Sequence, residues 1–106
     1  MNYKLIINIW KCGCQYNGFI YDISNDKKVL TCFKKERYSK AKPLHDILYY
    51  ESIIQDKKNC LLNIKNDDKF IRSLSQCAMK GDIEIEYMIG GDEVSFNQFR
   101  DYCQSQ

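Results

Sequence analysis

The sole proline, Pro43, stands where the chain changes its hydrophobic period, and that change limits the fold more than any single motif. Before it, short apolar runs are separated by turn chemistry. Lys4 to Trp10 is rich in isoleucine and aromatic residues and predicts a strand. A turn around Gln15-Tyr16-Asn17-Gly18 leads to a second strand, Phe19 to Ile23. Ser24-Asn25-Asp26-Lys27 is a turn signal before a third, Val29 to Phe33. These three read as an antiparallel meander. After Pro43, which suits a first helical turn, Leu44, Ile47, Leu48, Glu51 and Ile54 recur at spacings of three and four. That pattern predicts a helix to about Lys57. Cys60 to Ile64 is short and nearly all apolar, as expected of a strand buried on both faces. Asn66-Asp67-Asp68 offers N-cap oxygens to a helix carrying Phe70, Ile71, Leu74, Cys77 and Ala78, which Gly81 ends. Ile83 to Ile89 alternates as a half-exposed strand should, Gly90-Gly91 breaks it, and Ser95 can cap a last helix with Phe96, Phe99 and Cys103 on one side. The expected fold is α/β (α+β), a mixed five-stranded sheet flanked by helices in the order βββαβαβα.

With 106 residues, the chain predicts one domain, 1–106. Hydrophobic residues at 44% and charged residues at 28% exclude a wholly disordered chain. A net charge of +2 is too balanced to name nucleic acid or a membrane as partner by charge alone. The apolar run Leu5-Ile6-Ile7 stops at Asn8, so no bilayer span or signal peptide is predicted, and a cytoplasmic, reducing setting is the expectation. In that setting the six cysteines are read as buried thiols. Cys12 and Cys14, with Cys32 on a neighbouring strand, are the only grouping that suggests soft-metal ligation. Their one-residue gap and missing fourth ligand fit structural zinc poorly.

This element order resembles the ribonuclease H fold over nearly the whole chain. Ile83 to Gly91 is similar to that family's last strand and glycine loop. Asn97-Gln98-Phe99-Arg100-Asp101 is similar to its final-helix pattern, where an Asn precedes a catalytic Asp by four residues. Leu62 to Asp67, then Phe70-Ile71, looks like the fourth strand with its terminal Asp. The resemblance implies a two-magnesium nuclease centre, in which carboxylates hold two ions about 4 Å apart to activate a water and stabilise the leaving oxygen. Its ligands would come from the first strand, first helix, fourth strand and last helix. Here they map to Asp46 (or His45, one residue away), Asp67 (or Asn66) and Asp101, while the first strand holds no acid and offers only Asn8 or Trp10. The expectation is a scaffold that has lost its metal centre, with no cofactor.

Lys34, Lys35, Arg37, Tyr38, Lys40 and Lys42 concentrate five cations and one aromatic ring within nine residues, a pattern suited to phosphates and a stacked base. Three functions follow. The first is a non-catalytic ribonuclease H-like domain binding nucleic acid or a nucleic-acid-handling protein, such as a small viral or phage accessory protein or inhibitor of host defence. The second is an active magnesium-dependent ribonuclease using Asp46, Asp67 and Asp101, with Asn8 assisting. The third is a protein-interaction or dimerisation module. For that last reading, Tyr16, Tyr38, Tyr50 and Tyr102 offer an aromatic recognition surface, and Asp82, Glu84 and Glu86 an acidic one.

Overall fold

The computed structural model describes residues 2–10, 15–26, 28–36, 42–56 and 60–105. Its elements are β1 (Tyr3–Ile9), β2 (Gln15–Asp22), β3 (Lys28–Glu36), α1 (Lys42–Gln55), α2 (Cys60–Ile64), α3 (Lys69–Lys80), β4 (Ile83–Ile89), β5 (Asp92–Val94) and α4 (Phe96–Ser105). A mixed five-stranded sheet runs β3-β2-β1-β4-β5. The predicted meander forms, β1 pairing antiparallel with β2 and β2 with β3, but Gln15-Tyr16-Asn17-Gly18, expected as a turn, is the first half of β2 and pairs with β1 and β3. β4 returns beside β1 in parallel, Leu5 opposite Ile85 and Ile7 opposite Tyr87.

Several expectations are corrected. Cys60–Ile64 is a helix, not a buried strand, so the order is βββαααββα and not βββαβαβα. A five-residue apolar run does not distinguish the two states by period. As a helix it buries Cys60 and leaves Leu61 and Leu62 61% and 69% exposed. The fifth strand comes instead from Asp92–Val94, folded antiparallel onto β4 through Gly90-Gly91. Both glycines have positive φ, 59° and 87°, the backbone that a tight hairpin of matching twist requires.

The four described helices lie on one face of the sheet, whereas helices on its faces were expected. Leu5, Ile7 and Ile9 of β1, with Tyr16 and Ile20 of β2, meet Ile47, Tyr50 and Ile53 of α1, Leu74 and Ala78 of α3, and Phe99 of α4 in one core. Full burial of each such side chain stabilises by roughly 1.5–3 kcal/mol. An aromatic cluster joins β3 to the helices: Phe33 stands edge-on to Phe70 at 4.6 Å and to Tyr16 at 5.8 Å, and Tyr50 lies 5.4 Å from Phe70. Gly18 makes room for it, since a Cβ there would run into Phe33 Cε1 and Cζ. At the other end Tyr87 packs on Phe96 and Phe99 at 5.2 and 5.5 Å. No helix among the described residues is long and apolar enough to cross a membrane.

Candidate binding surface

Asp46 is the one candidate carboxylate that faces inward. It sits one turn into α1, against β2, with its neighbour His45 exposed. The Tyr16 hydroxyl donates to Asp46 Oδ2, Lys42 Nζ donates to Oδ1 at 2.7 Å, and Lys35 Nζ stands 3.7 Å from Oδ2. The helix-facing alternation of β2 and β3 puts Tyr16 and Lys35 opposite one another, and the i, i+4 spacing on α1 brings Lys42 over Asp46. Burial, then the hydrogen bond to Asp46 and its charge, holds the Tyr16 hydroxyl far above the usual phenol range, so it stays a donor. Burial does the same to Tyr50, with the Asp46 charge adding to it. Asp46 is thus an internal counterion that docks α1 on the sheet.

The other positions implied by the ribonuclease H resemblance are also occupied structurally or lie apart. Asn8, 5% exposed, donates from Nδ2 to Asn17 Oδ1 at 3.3 Å and accepts from the Gly91 N–H at Oδ1 at 3.0 Å. It therefore ties β1 to β2 and to the β4–β5 turn. Asp67 is exposed in the turn before α3, while its neighbour Asp68 is the N-cap, accepting from the Phe70 and Ile71 N–H groups. Asp101 is exposed on α4, 3.5 Å from Arg100. Among the described residues no three His, Cys, Asp or Glu side chains gather closely enough to hold a metal ion. The donors do not fit a two-magnesium centre.

Of the basic cluster, Arg37, Tyr38 and Lys40 lie outside the described residues, as do Cys12 and Cys14. Lys35 and Lys42 are engaged with Asp46, whereas Lys34 is exposed on the opposite side of β3. Cys32 is exposed, and Cys60, Cys77 and Cys103 are buried. Burial pushes the Cys77 thiol up to about 11, which keeps it protonated and a poor nucleophile. Tyr16 and Tyr50, expected on a recognition surface, are core residues.

The sheet face opposite the helices joins Glu84 and Glu86 of the expected acidic surface to apolar and aromatic residues that the sequence reading did not single out. Strand alternation puts Lys4, Ile6 and Asn8 of β1, Asn17, Phe19 and Tyr21 of β2, and Glu84, Glu86 and Met88 of β4 on that face. From β3 it takes Cys32, Lys34 and Glu36. A bulge between Ile20 and Tyr21 adds Val29, 46% exposed, and β5 adds Glu93. Phe19 and Tyr21 lie with ring centroids 6.1 Å apart. Lys4 Nζ pairs with Glu86 at 3.6 Å, and a shallow cavity opens between Lys4, Ile6, Tyr21, Ile23 and Glu86. No described helix covers this face. The alternation that allots these residues was visible in the sequence, but the placement of all the helices on the other side was not. No family model matches the chain, and no curated protein matches it in sequence.

Proposed function

We propose that this domain is non-catalytic and acts by docking a protein partner on its uncovered sheet face. The observation that carries the reading is the contrast between the two sheet faces. Four described helices close one, and no described element covers Ile6, Phe19, Tyr21, Val29 and Met88 on the other. Apolar and aromatic area of this kind, rimmed by charge, is the usual composition of a docking patch. The charges favour a protein over nucleic acid. Glu84, Glu86 and Glu93 share the face and would repel phosphates, while Lys35 and Lys42 already neutralise Asp46. Loss of catalysis is supported by the internal roles of Asp46 and Asn8, and a ribonuclease H ancestry is not needed for it.

The test has two arms. Labelled single strands, duplexes and an RNA–DNA hybrid, incubated with magnesium or manganese, should be neither cleaved nor bound in a salt-dependent way. Cleavage lost on Asp101→Ala, or binding lost on Lys34→Glu, would contradict the reading. In the second arm, immobilised wild type should retain a protein that the doubly substituted Phe19→Ser/Tyr21→Ser domain does not, at matched thermal stability.

A further inference from the structure

We infer that a second site, on the helix side of the sheet and separate from the docking face, binds a small aliphatic α-amino acid as its zwitterion. The site is a cleft of about 290 Å³ where the start of β1, the end of β2 and the start of β3 meet α3. Spacings of three and four set Ser73, Gln76, Cys77 and Lys80 in one stripe along α3. Facing that stripe are Tyr3 of β1 and Asp22 of β2, which pair across the ladder. The bulge between Ile20 and Tyr21 leaves Leu30 of β3 without a cross-strand partner. Leu30, 39% exposed, is the apolar wall of the cleft.

Two opposite charges line this cleft without meeting. Neither Asp22 nor Lys80 has an ion-pair partner among the described residues, and Lys28, opposite Asp22 on β3, forms no ion pair there either. Burial dominates at the Cys77 thiol between them, and the charges of Lys80 and Asp22 both reach it, with opposite sign. Asp22 is held in place by Ser24, whose hydroxyl and N–H donate to Oδ1 at 2.7 and 3.1 Å. Among the described residues nothing donates to Oδ2. An anion would be repelled by Asp22, and a simple amine by Lys80 and Lys28. A zwitterion meets both demands. Its ammonium can donate to Asp22, and its carboxylate can accept from Lys80, the Gln76 amide and the Ser73 hydroxyl. An aliphatic side chain then lies on Leu30. The cleft has room for about ten waters at about 30 Å³ each, which suits an amino acid of the size of leucine.

Titration of the full chain with L-leucine, followed by amide NMR, tests this. Leucine should bind with a Kd on the order of 1 mM and move the resonances of Ser73, Gln76 and Lys80. Isoamylamine, which lacks the carboxylate, and isocaproate, which lacks the ammonium, should each bind at least about tenfold more weakly. Lys80→Met should erase the preference for leucine over isoamylamine, and Asp22→Asn the preference over isocaproate, with thermal melts unchanged. No saturable shift with leucine at about 50 mM would overturn the site. Equal binding of all three compounds by the wild type would overturn the pairing of charges, a comparison that needs no variant to fold. A preference that neither substitution alters would overturn the assignment to these two residues. None of these results bears on the docking face, which the Phe19→Ser/Tyr21→Ser capture comparison tests separately.

Discussion

Asp46 shows how a single carboxylate can look catalytic in sequence and be structural in the fold. Its oxygens are taken by Tyr16, Lys42 and Lys35, so its charge is balanced from within. Removing the Tyr16 hydroxyl leaves a largely buried carboxylate oxygen short of its best donor. Tyr16→Phe should therefore cost about 1–2 kcal/mol in urea unfolding, and an unchanged midpoint would show that the contact contributes nothing. Ser75 presents the opposite case. Its Oγ is buried in α3 with no hydrogen-bond partner among the described residues. Alanine removes that orphan and is a better helix former, so Ser75→Ala should leave stability equal or raise it by up to about 1 kcal/mol. A clear loss of stability would mean that the hydroxyl has an unseen partner.

At the scale of elements, α3 depends on its start. Asp68 Oδ1 accepts from Phe70 and Ile71, and Asn66 Oδ1 accepts from the Asp68 N–H at 2.8 Å, which fixes the turn before the helix. Asp68→Ala should cost about 1 kcal/mol and Asp67→Ala little, as read by thermal or urea denaturation, and equal effects would contradict this assignment of the cap. The Asn66-Asp67-Asp68 run was legible as a cap, but which of its oxygens turns inward depends on the backbone leading into Lys69. The meander, α1, α3, β4 and α4 were legible too, because each has a sustained period or a strong turn. Cys60–Ile64 was not, since its five apolar residues satisfy either state and only packing beside α3 decides. β5 left a signal in Gly90-Gly91, a hairpin dipeptide as well as a strand breaker. The inward turn of Asp46 rather than His45 was beyond the sequence, because one residue on a helix is about 100° of rotation.

For the whole molecule, the one-sided layering sets stability and, on the docking proposal, use. Three phenols of the helix-facing layer, Tyr16, Tyr50 and Tyr87, are held above their ordinary value of 10.0, chiefly by burial. The folded chain thus keeps protons that the unfolded chain releases above that pH. Their contribution is complete at neutral pH, and stability falls as pH rises past 10. Chemical denaturation across that range should show the decline, and Tyr87→Phe should make it shallower by one proton. An unfolding free energy that stays level above pH 10 would contradict the buried-phenol account. The same layering leaves the other face without a described helix over it, where the docking proposal places a partner.

The central claim is that the carboxylates serve the fold and the open sheet face serves the function. Thermal unfolding of wild type and Asp46→Asn, each titrated with magnesium, addresses its first half directly. A metal held by the folded state alone would raise the melting temperature by mass action. The account predicts a wild-type melting temperature independent of magnesium and a lower, equally independent one for Asp46→Asn. A magnesium-dependent rise in the wild type that disappears in Asp46→Asn would contradict it.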